Sequence, residues 1–330
     1  MPGITLKNEL GTSSIYSKKT LSTAAKKSFS KNWDLYLLIT PVVLYFIIFN
    51  YIPMYGIQIA FKNYITVKGI TGSSWVGLKH FQRFFESYYF WRLMGNTLGI
   101  SLYQLAAAFP IPILLALMLN EVKNKAIKGT VQMVTYAPHF LSLVVLIGMM
   151  ASFLSPKNGI VNILLQFLGY GPISFMTEPA WFKSLYVWSG IWQNAGWASI
   201  IYIAALAGID SKMYEAAEID GASRLKRLIY ITVPCILPTA IIILIMDVGR
   251  IMNVGFEKVF LMQNALNKEA AEVISTYVYM VGILGGGQQG AGVPQYSFAS
   301  AVGLFNAVIN FTLLVIVNKT SKKLSETSLW

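Results

Sequence analysis

The chain has 330 residues, 55% of them hydrophobic and only 12% charged, with a net charge of +12. So much apolar surface excludes a soluble domain of this length and places the chain in a bilayer. The single Cys235 excludes a disulfide framework, two histidines make a metal centre improbable, and the basic excess sits in tails and short loops, as at a membrane surface rather than on a nucleic-acid-binding face.

Residues 1–34 are rich in Lys, Ser and Thr and carry six lysines against Glu9 and Asp34, a basic tail suited to anionic headgroups. The apolar run from Leu35 to about Ile59 is twice a signal-peptide core and lacks a small-residue cleavage site, so it is expected to stay as the first span. A bilayer core about 30 Å thick needs about 20 apolar residues per helix. Six runs approach that length, 35–59, 97–119, 131–154, 184–207, 231–249 and 298–318, and the fold expected is all-α with six transmembrane helices. Prolines 41, 53, 110, 112, 234 and 238 lie in or at the ends of these runs, which spans tolerate when neighbours satisfy the freed carbonyls.

An even number of spans puts both termini on one side. The N-terminal tail, the loop with Lys123, Lys125 and Lys128, the loop around Glu215 and the C-terminal tail hold six, three, four and three of the 26 Lys and Arg, which makes that side cytoplasmic. The opposite loop, 61–96, carries Lys62, Lys68, Lys79, Arg83 and Arg92 against this assignment. Its Trp75, Phe81, Phe84, Phe85, Tyr88, Tyr89, Phe90 and Trp91 read as an interfacial belt or a helix lying on the outer surface, with a carbohydrate platform as the alternative. Residues 280–296 are glycine-rich and read as an external loop. The division expected is a basic tail over 1–34, the first helix and external aromatic segment over 35–96, a core over 97–318 with a cytoplasmic loop at 208–230, and a tail over 319–330.

The fourth span supplies Trp188, Trp192, Gln193, Asn194 and Trp197, aromatic faces and amides of the kind that hold sugars. Helical spacing keeps them from all facing one cavity, and an aromatic belt at the outer interface explains them equally well.

Between the fourth and fifth spans lies the least membrane-like stretch of the second half, EAAEIDGASRLKRLIYITVPCILP over 215–238. Acidic residues precede basic ones, an order that suits helix-end electrostatics only if there are two helices, with Gly221 as the break and Asp210 or Ser211 as the first cap. Spacing alone leaves open an ordinary loop with some helix in it.

Glu215, Ala216, Ala217, Asp220, Gly221 and Ala222, followed by Ile231, Thr232, Pro234 and Pro238, resemble the cytoplasmic signature of the permease subunits of binding-protein-dependent ABC importers. Leu228 and Val233 depart from it, standing where Phe and Leu are common. The resemblance extends over about 33–330 through Trp75–Phe81, Asn96–Thr97, Asn120–Glu121, Tyr136–Phe140, Gly196–Ala205, Thr276–Tyr279 and Ala301–Leu304, which look like the branch that imports oligosaccharides and complex polysaccharides. It implies a type I ABC importer permease fold in a multi-pass cell-membrane protein. Glu215 to Ala222 and Arg224 would couple to the ATPase. Met252, Asn253, Phe256 and Glu257 stand where such permeases line the path or touch the binding protein. The partners implied are a second permease, two cytosolic ATPase subunits carrying ATP and magnesium, an external solute-binding protein, the sugar, and lipid. No cofactor is expected on this chain and no nucleic acid among its partners.

The chain has no phosphate loop of its own: near Gly72 to Lys79, Leu78 separates Gly77 from the lysine. A proton-coupled transporter is the rival reading, and Asp247 is the one acid in a span able to serve it, with Arg250 three residues on as an ion-pair partner. A membrane-embedded enzyme would need a nucleophile with a base, and His139 reads instead as a packed histidine.

Overall fold

The computed structural model describes residues 31–286 and 292–325. Nearly all of the expected basic tail, 1–34, lies outside the described residues, as do Gly287 and Gly290 of the glycine-rich loop. The chain divides between Gln58 and Ile59 into two compact units.

The described part of the first unit is one interrupted helix. Helix α1 (Trp33–Phe46) carries Pro41 inside it and runs through a widened π turn, Ile47–Tyr51, into Ile52–Met54. The same device recurs at the start of the fifth expected span, where a π turn over Leu228–Thr232 leads into the next helix. Each π turn ends two residues before a proline, Pro53 and Pro234. Proline has no N–H for the carbonyl four residues back, and a wider turn accommodates the break without ending the helix.

The second unit opens with a ribbon in which β1 (Lys62–Asn63) pairs antiparallel with β2 (Ser74–Trp75). Helix α2 (Lys79–Phe85) follows, then α3 (Tyr89–Ala108) and α4 (Pro110–Glu121), a single apolar crossing. Not all the aromatic residues of the segment 61–96 lie on a surface. Phe84 is buried, with edge-on contacts to Phe90, Phe298 and Phe305, whereas Trp75, Tyr88 and Trp91 stay exposed.

The span expected over 131–154 is broken. Helices α5 (Lys125–Tyr136) and α6 (Leu143–Phe153) meet at 102° across a 3₁₀ turn over Ala137–Phe140. Pro138 withholds an N–H at the break, and the Ser142 hydroxyl accepts from Val145 N–H at 3.3 Å to start α6 afresh. With 11 residues, α6 rises only about 16 Å, half a bilayer core.

After α7 (Ile160–Phe167) comes the central element, α8 (Pro179–Ala207). Its 29 residues reach about 43 Å, long enough to cross, but Trp, Ser, Gln and Asn leave it outside the helices apolar enough to do so. By length and apolarity, four helices among the described residues can span a membrane, and a fifth if the bent pair α5 and α6 counts as one. Helix α8 packs against α3, α4, α5 and, beyond the elbow, α11 (Val233–Val248). Phe182, Tyr186, Val187 and Ile191 meet Ile100 and Val259 in one core cluster, and Tyr202 and Leu206 meet Ala116, Ile236 and Ala240 in another. Glycine inside a helix costs about 1 kcal/mol relative to alanine, and at Gly196 a close approach is the reason for it: a Cβ there would stand 2.1 Å from the Thr135 carbonyl oxygen of α5.

The chain closes with α12 (Phe256–Met262), α13 (Ile274–Gly282) and α14 (Tyr296–Ser325). Helix α14 therefore continues into the segment expected as a tail over 319–330.

Candidate functional site

The charged stretch between α8 and α11 folds as two short helices joined by a tight turn. Helix α9 (Ser211–Ile219) is capped by Asp210, whose carboxylate accepts from Lys212 N–H at 2.9 Å. It ends in a Schellman turn: Ala222 N–H donates to the Ala217 carbonyl at 2.9 Å, and Gly221 N–H to that of Glu218 at 3.1 Å. This closure needs a left-handed residue, and Gly221 supplies it at φ +73°. Ser223 caps α10 (Arg224–Arg227), and Arg227 donates to Glu218 at 2.9 Å. Tyr214 and Thr232 hydroxyls pair at 3.0 Å, tying α9 to the π turn below α11. Glu215, Ala216, Asp220, Gly221 and Arg224 are exposed, Ala217 and Ala222 half-buried. Beside them Ile219 is 87% exposed, Leu225 63% and Tyr230 76%. The elbow therefore presents exposed apolar side chains among its charged ones.

A second feature is a cavity of about 500 Å³ between α3, α8, α11 and α12. Of the sugar-path candidates, Gln193, Asn194 and Asn253 line it, while Trp188, Trp192, Trp197, Met252 and Glu257 are not on its wall. The two amides of α8 are already engaged. Gln193 donates to the Leu141 carbonyl at 2.8 Å, and Asn194 bridges the Gly190 carbonyl and the His139 ring. His139 stacks on Trp197 with centroids 4.6 Å apart, and Trp188 donates to the Tyr103 hydroxyl. Met252 is buried, its N–H given to Asn310, and Asn310 and Asn306 both donate to Asn253. Glu257 is exposed.

Asp247 and Arg250 both reach the cavity wall, but the expected ion pair is not formed. Helix α11 ends at Val248, so the helical register that brings residues three apart together is lost before Arg250. Sequence reasoning passed over Ser101, Gln104 and above all Lys258, a buried lysine on this wall. The signal available was slight: Lys258 follows the charged Glu257 and precedes the apolar Val259 and Phe260.

Long apolar helices packed around a polar cavity, with a capped, charged elbow before one of them, are the architecture of a membrane transport subunit. The chain belongs to the binding-protein-dependent transport system inner membrane components, whose family profile matches residues 108–325. It is 43% identical over 296 residues to the polygalacturonan/rhamnogalacturonan transport system permease protein YteP of Bacillus subtilis (strain 168), with 90% of each chain covered. It is 42% identical to protein LplB of the same organism, over 90% of this chain and 91% of that one. Among solved structures, a bacterial ABC transporter involved in the import of the acidic polysaccharide alginate matches with a TM-score of 0.83 and 39% identity, over 92% of this chain and 99% of that chain. A second structure, of a bacterial alginate ABC transporter in complex with alginate pentasaccharide-bound periplasmic protein, matches at 40% identity with the same TM-score and coverage. The fold is that of an ABC importer permease.

Proposed function

We propose that this chain is one of two permease subunits of an ATP-driven importer for oligosaccharides or polysaccharide fragments, with the elbow between α8 and α11 seated on a cytosolic ATPase. The observation that carries the reading is the elbow itself, where Asp210, Gly221 and Ser223 fix two short helices and leave Ile219, Leu225 and Tyr230 bare. Closure of the ATPases would move the elbow as a lever, and α8 and α11, continuous with it, would change which end of the cavity is open. Glu215, Asp220 and Arg224 would set docking by charge. ATP and magnesium would sit on the ATPase, and an external binding protein would deliver the sugar. Both termini would face the cytoplasm.

The test is reconstitution. A related permease and an ATPase should co-purify with this chain in detergent, and in proteoliposomes a sugar-loaded binding protein should raise both ATP hydrolysis and uptake. Proton-driven uptake by the purified chain alone would overturn the proposal in favour of a secondary transporter.

A further inference from the structure

Lys258 is 6% exposed and lines the cavity from α12. Its ammonium donates to the Tyr186 backbone carbonyl at 2.8 Å and lies 4.7 Å from the centre of the Tyr186 ring. These contacts aim the group but use one of its three N–H donors. The ion pairs among the described residues are elsewhere, at Arg92, Arg227 and Lys268, so no carboxylate pairs with Lys258. Asp247 is the one carboxylate on the cavity wall, and Arg250 shares that wall with it, so cations outnumber anions there. Gly190, one turn on from Tyr186 in α8, makes room for the ammonium at the cavity wall: a Cβ at that position would come within 3.1 Å of the Lys258 Nζ.

A buried ammonium without an anion is costly, and a lysine serving only to fill space would be better replaced by Met or Leu. The missing counter-charge can enter by the cavity. A sugar hydroxyl would accept a hydrogen bond without neutralising the charge, whereas a ring carboxylate does both, in a charge-assisted hydrogen bond about twice as strong as a neutral one.

We propose that Lys258 is a carboxylate receptor on the cavity wall, and that the cargo passing it is an oligosaccharide bearing uronate groups rather than a neutral one. The inference rests on the importer reading above and names the chemistry of its substrate.

The experiment uses the assembled importer with its binding protein in proteoliposomes, with trigalacturonate and its full methyl ester as probes. It compares wild type, Lys258→Met and Lys258→Arg, and equilibrium binding of each probe to the detergent-purified complex without binding protein is measured alongside. Lys258→Met should weaken binding of the acid roughly 30-fold, the lower end for truncating one partner of a buried charge pair. It should leave the ester unchanged, and Lys258→Arg should restore most of the loss. Equal handling of acid and ester by wild type overturns the carboxylate reading while leaving the importer standing. An equal loss of both probes in Lys258→Met also overturns it, because the lysine then serves structure or pairs with an acid of the second permease. Absence of ATP-dependent uptake of the acid overturns the carboxylate reading, whereas proton-driven uptake by the purified chain alone brings down both.

Discussion

Arg227 reaches back past Gly221 to donate to the Glu218 carboxylate at 2.9 Å, so the two helices of the elbow are linked by an ion pair as well as by the turn between them. The Glu218 side chain is 73% exposed, and a pair that open contributes on the order of 0–1 kcal/mol. Rigidity therefore comes from the backbone closure at Gly221. A Cβ at Gly221 would meet nothing within 4 Å, so an alanine pays only for the left-handed conformation, about 1–2 kcal/mol. Gly221→Asn should keep coupling near wild type, while Gly221→Pro, which cannot adopt that φ, and Glu215→Lys should insert normally yet lower the sugar taken up per ATP hydrolysed. The ratio is read in proteoliposomes, and normal uptake in both damaging variants would remove the lever.

Gly196 offers a packing test independent of function. Because a Cβ there would meet the Thr135 backbone rather than a movable side chain, Gly196→Ala must push α5 and α8 apart. Overpacking of this kind costs about 1–3 kcal/mol. A lower melting temperature in detergent and a reduced yield from membranes are expected, and Gly196→Val should be worse. Gly303, where a Cβ would meet nothing within 4 Å, is the control: Gly303→Ala should leave both measurements near wild type.

The asparagine cluster joining the end of α11 to α14 should rank its members by burial. Asn310 is 8% exposed, donates to Asn253 and accepts the Met252 N–H at 3.0 Å. Asn310→Leu leaves that buried N–H without an acceptor, at a cost of about 1–3 kcal/mol. Asn306→Ala removes one of two donors to Asn253 and leaves the other in place, so its effect on melting should be much smaller. Equal melting temperatures for the two variants would contradict the burial argument.

The elbow was legible in the sequence because its signals are local. A capping Asp210, a glycine after a helical run and the acid-before-base order each act within a few residues, and the string at 215–222 marked the family. Of the six expected crossings, 35–59, 97–119, 231–249 and 298–318 were legible as apolar runs, 131–154 is bent, and 184–207 is long enough but less apolar, so the count of six is not confirmed. Proline at 138 breaks a helix and proline at 234 only widens a turn, and which happens depends on the neighbours that satisfy the freed carbonyls. The cavity was the least legible feature. Trp188, Trp192 and Trp197 have the right chemistry for a sugar yet stand off its wall, and Lys258 lines it from a seven-residue helix that carries no motif. Which side chains share a cavity is fixed by how α8 and α12 cross, and periodicity within either helix does not report that.

His80 gives the β1–β2 ribbon a pH dependence of definite sign. Burial holds its pKa below 6.5, Arg83 and Lys79 add to the lowering, and the hydrogen bond to the Lys62 carbonyl opposes it. Nε2 lies 3.1 Å from that carbonyl, so the neutral ring donates there and links α2 to β1. With the folded pKa below the unfolded one, the unfolded segment binds more protons once the pH drops below 6.5, and the native form loses stability as the pH falls toward the folded value. Amide hydrogen exchange over residues 61–85 should therefore be more protected near pH 7.5 than near pH 5.5, after correction for the intrinsic pH dependence of exchange, at roughly those two values around the histidine range. His80→Gln, whose amide can donate to the same carbonyl but does not titrate, should flatten the difference. A slope that persists in His80→Gln would assign the effect to another group and detach His80 from the ribbon's stability.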